Sequence, residues 1–201
     1  MKVPVRLSLL LLGGLLTCLL SSCHDDDDAP FPSIVSELVD CPTDSAGILS
    51  FIVLDNDTRL ELVNPQEDLR PSVVYRALAG YAREDDGRVT LYTLQSAALL
   101  RDSTQVAVFD PTAVVSLWCS PRYLNLHLRP KTQGGKHDWG YATDSLTGNH
   151  AYLRLHHRQG DDPVAYSTDL YASLRLSAVE ADTITLRIRT FDGMREWTIT
   201  K

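Results

Sequence analysis

Seven residues alternate between polar and apolar side chains without a break: Tyr123-Leu124-Asn125-Leu126-His127-Leu128-Arg129. Successive side chains of a β-strand point to opposite faces, so the three leucines are predicted to face a core and the other four side chains to face outward. The same alternation recurs in residues 151–157, 170–177, 183–190 and 195–200. The second half of the chain is therefore predicted to fold as an antiparallel β-sandwich.

The first half of the chain contains two predicted hairpins, each with a polar turn between two apolar-rich segments. They comprise residues 47–63, with a turn at 55–58, and residues 72–93, with a turn at 84–87. A fifth strand is predicted near residues 95–101. Five strands in about seventy residues suit a small barrel of the OB type, so the fold class is predicted to be all-β throughout.

The first residues have the composition of an export signal. Lys2 and Arg6 precede an apolar stretch, residues 7–20, which is too short to span a hydrocarbon core of ~30 Å as a helix. The small pair Ser21-Ser22 before Cys23 resembles the lipobox of bacterial lipoproteins, whose cysteine is acylated after cleavage. This resemblance implies a stable membrane anchor on Cys23, whereas the alternative is a simple cleaved signal with an unrelated cysteine.

An acidic run follows the cysteine, with Asp25 to Asp28 preceding Ala29-Pro30-Phe31-Pro32. Like charges and prolines predict an extended, solvated tether. Acidic residues after a lipidated cysteine also resemble the signal that sends some gram-negative lipoproteins to the outer leaflet of the outer membrane. A surface-exposed, lipid-anchored protein of the outer membrane is therefore predicted. The alternatives are a periplasm-facing protein and a tether that acts only as a spacer.

These segments predict a division into a lipoprotein signal peptide (1–22), an acidic tether (23–32), an OB-like barrel (33–105) and a β-sandwich (106–201). Charge is unevenly divided, because residues 24–105 contain six Arg against sixteen Asp and Glu, whereas residues 106–201 contain eleven Lys and Arg against ten. Phosphate binding needs a clustered positive surface, so nucleic acid is not predicted as a partner.

Only Cys41 and Cys119 are expected to remain as thiols in the mature chain, since Cys18 lies in the signal and Cys23 is the predicted lipidation site. Two separately buried thiols are predicted, and a disulfide between them, which an exported protein permits, is the alternative. Two cysteines without a histidine pattern do not form a zinc site.

Several segments follow one another in the order found in a known family. They are residues 114–118 (Val-Val-Ser-Leu-Trp), 123–129, 131–137 with Lys131-Thr132-Gln133 and Lys136-His137, 151–157, and the turn at 191–193. This order resembles the NigD-like lipoproteins. The resemblance implies an N-terminal OB-like domain followed by a C-terminal β-sandwich. It also implies an envelope or immunity role through association with a bacteriocin locus, and it supplies no catalytic residues.

Motifs for chemistry are missing from the sequence. There is no Gly-x-Ser-x-Gly elbow, no His-Glu-x-x-His and no phosphate-binding glycine loop. Asp55-Asn56-Asp57 begins like a calcium loop but lacks the glycine and glutamate that such a loop requires. His156 and His157 are neighbours on a strand and point to opposite faces. No catalytic, cofactor-binding or metal-binding residue is predicted, and the chain is not predicted to be an enzyme.

One set of outward side chains is a candidate ligand face. Tyr123, Asn125, His127 and Arg129 would lie beside a second row if their strands were paired. The second row is Tyr152, Arg154 and His156. Arginine, amide and aromatic groups together suit a carboxylate, phosphate or sugar. The alternative is an ordinary polar outer face with cross-strand pairs.

Four tripeptides resemble the Asp-Ser/Thr-apolar acceptor of protein O-glycosylation in some gram-negative envelopes. They are Asp44-Ser45-Ala46, Asp102-Ser103-Thr104, Asp144-Ser145-Leu146 and Asp182-Thr183-Ile184. The predicted function is therefore that of a lipid-anchored envelope protein that acts by non-catalytic interaction with another envelope protein. The alternative is a surface module that binds a glycan or a small anion.

Overall fold

The computed structural model describes residues 32–201, of which Ser33–Lys201 form one compact unit. The predicted signal peptide, Cys23 and the acidic tether up to residue 31 lie outside the described residues. Strands dominate the described part, as the alternation predicted, and within this part no helix has the length and apolar character needed to cross a membrane.

The first five strands close into a barrel. They are β1 (Val35–Pro42), β2 (Leu49–Val53), β3 (Arg59–Gln66), β4 (Val74–Arg83) and β5 (Val89–Ser96). Their order is β1-β2-β3-β5-β4, and β4 pairs back onto β1. All neighbours are antiparallel except β3 and β5. The predicted OB-like barrel is confirmed.

Both predicted hairpin turns are confirmed, and their sequences explain them. Asn56 Oδ1 accepts a hydrogen bond from the Thr58 N–H at 3.1 Å, and Asp57 has a positive φ of 65°. In the second turn, Asp86 Oδ1 accepts from the Arg88 N–H at 3.0 Å, beside Gly87 with φ 83°. Short polar side chains that bond their own backbone favour such turns.

The remaining strands form the second part of the unit. They are β6 (Ala98–Asp102), β7 (Ala113–Cys119), β8 (Tyr123–Arg129), β9 (Lys131–Thr132), β10 (Asp138–Thr147), β11 (His150–Arg158), β12 (Tyr166–Ser167), β13 (Leu170–Arg175), β14 (Thr183–Thr190) and β15 (Gly193–Thr200). Eight of them follow the order β15-β14-β11-β10-β6-β13-β8-β7, and β9 pairs with β12 alone.

This sheet folds over one core. Leu124, Leu126 and Leu128 on β8 are fully buried and belong to the same apolar cluster as Leu153 on β11 and Ile184 on β14. Complete burial of a leucine or isoleucine contributes about 1.5–3 kcal/mol, so this cluster is a main source of stability. The prediction that the three leucines face a core is confirmed, and so is the sandwich.

Two details differ from the prediction. The strand β6 pairs with β10 and β13, parallel to both, and β11 is parallel to β14, so the sandwich is mixed rather than purely antiparallel. The sequence prediction placed the segment 95–101 in the barrel. Its pairing places β6 in the sandwich, and the fifth barrel strand is β1 instead.

Candidate binding site at the barrel–sandwich junction

A buried arginine joins the barrel to the sandwich. Arg76, on β4, has 1% of its side chain exposed. Its Nη1 and Nη2 atoms donate to the two carboxylate oxygens of Asp55 at 2.6 and 2.8 Å. Nη2 also donates to Asn125 Oδ1 at 3.2 Å, and Nε donates to Ser173 Oγ at 3.1 Å. One guanidinium group therefore binds side chains of both parts of the unit.

Asp40, on β1, is the second buried charge at this junction. It accepts hydrogen bonds from Arg76 Nη1 at 3.2 Å, from the Tyr123 hydroxyl at 3.0 Å and from Arg122 Nη2 at 2.8 Å. The Tyr123 ring lies under the Arg76 guanidinium, 3.9 Å from Cζ to the ring centre. Burial, together with the Asp40 carboxylate, raises the pKa of Tyr123.

We call these side chains the junction network: Asp40, Asp55, Arg76, Arg122, Tyr123, Asn125 and Ser173. Burial is the largest single influence and opposes ionisation of Asp55, but hydrogen bonds from Arg76, Ser120 and Asn125, together with the charge of Arg76, outweigh it and lower the pKa of Asp55. Buried charges are tolerated when partners satisfy them from several sides, as they do here. The network therefore holds barrel and sandwich in one fixed arrangement.

A groove runs along the same junction. It consists of two cavities of about 340 and 440 Å³ that share Glu37, Leu38 and Trp118. We call it the junction groove. The barrel supplies one wall through β1, with Ser36, Glu37 and Leu38. The sandwich supplies the floor through β7, β8 and β13. The network therefore fixes the distance between the wall and the floor.

Three aromatic side chains line the floor of the junction groove, namely Trp118, His127 and Tyr171. Trp118 on β7 is 38% exposed. His127 stacks on Tyr171 with ring centres 4.5 Å apart and planes 14° apart. Asp169 Oδ1 contacts both His127 Nε2 and Arg129 Nε at 2.7 Å, and these contacts lower the pKa of Asp169, with the Arg129 hydrogen bond contributing most. The floor thus combines flat apolar faces with a few fixed polar groups, as ligand sites commonly do.

The wall of the groove is acidic. Glu37 accepts a hydrogen bond from the Tyr81 hydroxyl. Burial and this carboxylate raise the pKa of Tyr81 to about 12. Within residues 32–201, Glu37 has no cationic side chain in ion-pair contact. From residue 33 to 97 the barrel contains eleven Asp and Glu against five Arg and no Lys. Glu37 therefore contributes a carboxylate to the lining of the groove, on a barrel whose net charge is negative.

The ligand face expected from the sequence is divided by the structure. Strand β8 pairs with β7 and β13, whereas β11 pairs with β10 and β14, so the two predicted rows are not neighbours. Tyr123 and Asn125 are fully buried in the junction network, because the barrel covers their end of β8. His127 lines the junction groove, and Arg129 is exposed and contacts Asp169.

The side chains of the second predicted row already contact neighbouring groups of the protein. Arg154 Nη2 lies 2.8 Å from Asp144 Oδ1, and its guanidinium stacks on Phe109, 4.2 Å from the ring centre. Tyr152 stacks on His150 with ring centres 4.2 Å apart. His156 is fully buried, and its Nδ1 lies 2.8 Å from the Val108 nitrogen. His127 and His156 therefore do not meet.

A second buried polar cluster surrounds His157, which stacks on Trp139. His157 Nδ1 lies 3.0 Å from the Asp110 carbonyl oxygen, and Nε2 lies 2.9 Å from His137 Nδ1. His137 Nε2 in turn lies 3.0 Å from Asp162 Oδ2. Burial lowers the pKa of His157 to about 4. A hydrogen bond from Thr132 makes the largest contribution to lowering the pKa of Asp162 to about 2.

The two cysteines are separate thiols. Cys41 is buried in the barrel core and Cys119 is exposed beside the junction groove, so no disulfide joins them. Burial raises the pKa of Cys41 to about 12. Within residues 32–201, no three His, Cys, Asp or Glu side chains are arranged to hold a metal ion. Of the predicted glycan acceptors, Ser45 and Ser145 are exposed, whereas Ser103 and Thr183 are half-buried.

The sequence pattern did not identify Asp40, Arg76 or Trp118 as site residues. One signal was available, because Arg76 interrupts the apolar run that precedes Arg83 in β4. A charged side chain in such a run is either on an exposed face or paired in the interior. Trp118 was noted only as part of a family pattern, since nothing local indicates that the barrel wall faces it.

Fold and site together define a class of two-part, all-β proteins in which an OB-like barrel and a sandwich enclose a groove. The chain belongs to the NigD-like family, since the model of the NigD-like C-terminal beta sandwich domain matches residues 98–201. This match begins at β6, in agreement with the strand pairing. No curated protein sequence matches the chain.

Solved structures share the fold at low sequence identity. A NigD-like immunity protein from Bacteroides caccae superposes with a TM-score of 0.64 at 22% identity, covering 85% of this chain and 98% of its own. A candidate toxin-related protein from Parabacteroides distasonis gives 0.65 at 14%, covering 84% and 93%. A candidate lipoprotein from Bacteroides fragilis gives 0.59 at 12%, covering 83% and 96%.

Proposed function

We propose that this chain is a lipid-anchored protein of the cell envelope that binds another protein in the junction groove and performs no catalysis. The observation that carries the proposal is the aromatic floor around Trp118 facing the acidic wall around Glu37. Large aromatic side chains in a concave site are the usual anchors of protein interfaces.

Rigidity of the groove supports a binding role. Its two sides belong to different parts of the unit, and the junction network fixes them through buried ion pairs. A site that is formed before its partner arrives loses less conformational entropy on binding. The groove can therefore hold a partner without first being ordered by it.

Location and biological role are proposed from the sequence and from the names of relatives. The lipobox-like residues before Cys23 support a lipid anchor, and the acidic run after it supports the outer membrane and surface exposure. The names of two relatives, a NigD-like immunity protein and a candidate lipoprotein, agree with an immunity-like envelope role. A partner of such a protein would be another envelope protein or a toxic one.

A glycan is the second candidate ligand. The half-buried stack of His127 on Tyr171 offers a flat face, and Arg129 and Asp169 beside it offer donors and acceptors. Such a pairing suits a sugar ring as well as a peptide side chain.

Site-specific crosslinking on intact cells tests the proposal. A photoreactive amino acid at position 116, in the groove, is compared with one at position 164, where Val164 is exposed and does not line the groove. We expect one protein adduct of defined mass at position 116, absent at position 164 and lost when Trp118→Ala is added. Equal adducts at both positions would contradict the groove as the binding site. Trp118-dependent binding of purified glycans without any protein adduct would favour the second candidate.

A further inference from the structure

Strand β7 ends the eight-stranded sheet, and within the described residues nothing pairs with its outer edge. Its sequence is Ala-Val-Val-Ser-Leu-Trp-Cys, without a charged residue or a proline. Val115 is 48% exposed at a bulge in the pairing with β8. Proteins usually protect such an edge with charges, prolines or bulges, because unpaired N–H and C=O groups attract another strand, and on β7 only the bulge at Val115 is present.

The opposite edge of the same sheet makes the contrast clear. Strand β15 contains Arg195 and Glu196, both exposed. Charged side chains of this kind discourage pairing with another chain. One edge is therefore protected and the other is open. The open edge is the one that borders the junction groove, through Ser116 and Trp118.

Charge and geometry indicate what the edge would accept. A strand of seven residues is about 23 Å long, which is enough to pair with an extended peptide. A strand added beside β7 would place every second side chain on the groove side, next to Trp118. The wall opposite contributes the Glu37 carboxylate, and the barrel to which it belongs has more acidic than basic residues. Basic side chains at alternate positions of such a peptide would lie near the Glu37 carboxylate. A second copy of the chain, paired through its own β7, would place only uncharged side chains there.

We propose that the outer edge of β7 binds an extended, basic peptide segment of the partner protein, which adds to the sheet as a further strand. The inference rests on the proposed function, because it names the chemistry of the partner in the junction groove. Main-chain hydrogen bonds to β7 supply affinity, and the groove selects side chains at alternate positions.

A random decapeptide library displayed on phage tests this proposal against the purified full chain in detergent. We expect enrichment of peptides with Lys or Arg at alternate positions and β-branched residues between them. Trp118→Ala and Glu37→Gln should each reduce this enrichment, whereas Glu196→Gln, on the protected edge, should leave it unchanged.

The best peptide is then synthesised with N-methyl groups on either its odd-numbered or its even-numbered amides. A strand pairs through one set of amides only, so one methylated form should bind at least about tenfold more weakly and the other should bind like the parent. Glu in place of the basic residues should also abolish binding.

Three results would overturn the strand addition. Equal binding of both methylated forms would mean that side chains alone bind in the groove, and the proposed function would remain. A library without any Trp118-dependent binder would exclude the peptide, and the crosslink at position 116 would then decide whether the proposed function fails as well. A dimer in sedimentation that excludes the peptide would make a second copy the occupant of the edge.

Discussion

Arg76 shows how much the junction depends on single residues. Its guanidinium contacts two carboxylates, an amide and a hydroxyl inside the protein. Ion pairs in the interior contribute little net stability while they are complete, since desolvation offsets their attraction. Loss of one member is costly, because the remaining charge stays buried without a partner.

Replacement of Arg76 by alanine tests this reasoning. Arg76→Ala leaves Asp55 without its cation and Asp40 with Arg122 alone, and we expect a loss of about 3–5 kcal/mol in the free energy of unfolding by urea. The control is Arg59→Ala, which breaks an ion pair with Glu61 in which both side chains are at least half exposed. The control should cost less than about 1 kcal/mol, and similar losses in both variants would contradict the account.

The low pKa of His157 makes the stability of the protein depend on pH. This pKa is about 4 in the folded protein, against an ordinary value near 6.5. Between these values the unfolded chain binds a proton that the folded chain excludes. Stability should therefore fall as the pH falls from 6.5 to 4, by about 1.4 kcal/mol per unit for this one group.

Urea unfolding at several pH values measures this slope. His157→Gln, which keeps a polar side chain beside His137 and Trp139, should make the slope between pH 6.5 and 4 shallower. Asp162 belongs to the same cluster, but its pKa of about 2 lies below this pH range, and the comparison with the unaltered chain isolates the contribution of His157. An identical slope in the variant would show that His157 is not the group responsible.

At the scale of elements, two glycines separate backbone strain from steric contact. Gly47 and Gly87 both have φ of 83° in turns of the barrel. A Cβ at Gly87 would meet no atom within 4 Å, whereas a Cβ at Gly47 would collide with the Leu69 carbonyl oxygen. The two positions share a backbone conformation but differ in the space available for a Cβ atom.

We therefore expect unequal costs for the same substitution. Gly87→Ala should destabilise the protein by about 1–2 kcal/mol, the cost of a left-handed conformation for an L-residue. Gly47→Ala should cost about 1–3 kcal/mol more, since the backbone near Leu69 must move. Thermal unfolding of both variants measures the difference. Equal destabilisation would mean that the turn at Gly47 relaxes freely.

Sequence patterns predicted the elements that alternate and missed those that do not. The strand β8 was predictable because its leucines repeat every second residue and all face one core. The strand β1 contains Asp40 and Cys41 side by side, both buried, since each faces a different buried environment. The strand β6 has five residues, and its sequence cannot indicate which of two adjacent sheets it joins.

At the scale of the whole molecule, the junction network should make unfolding cooperative. All three tryptophans, Trp118, Trp139 and Trp197, belong to the sandwich, whereas Cys41 lies in the barrel core. Tryptophan fluorescence therefore reports on the sandwich, and peptide-resolved alkylation of Cys41 reports on the barrel. We expect both probes to give the same midpoint in urea. Exposure of Cys41 at a lower concentration than the fluorescence change would show that the barrel unfolds alone.

The candidate site also depends on the whole molecule, because it forms where the barrel contacts the sandwich. The sequence therefore could not predict it. Tyr123 and Asn125 have the pattern of exposed residues because their own strand faces them outward. The barrel then covers them, through contacts with Asp40 and Arg76 that lie far away in the chain. A local sequence pattern contains no information about such a contact. The pattern therefore predicted that Tyr123 and Asn125 are exposed, whereas the structure buries them. The groove at Trp118 arises from the same docking of barrel on sandwich.

The position of β6 between β10 and β13 also determines the order in which parts of the sheet can fold during synthesis. Every barrel strand lies between Val35 and Ser96, so the barrel is complete in the nascent chain while β6 has no neighbour. Its parallel partners β10 and β13 are made much later, and domains fold as their residues emerge. A finished barrel is therefore followed by a strand whose apolar residues, Ala98 to Leu100, do not yet have a sheet partner. This period of exposure to aggregation and proteolysis ends only when the chain has been made as far as Arg175.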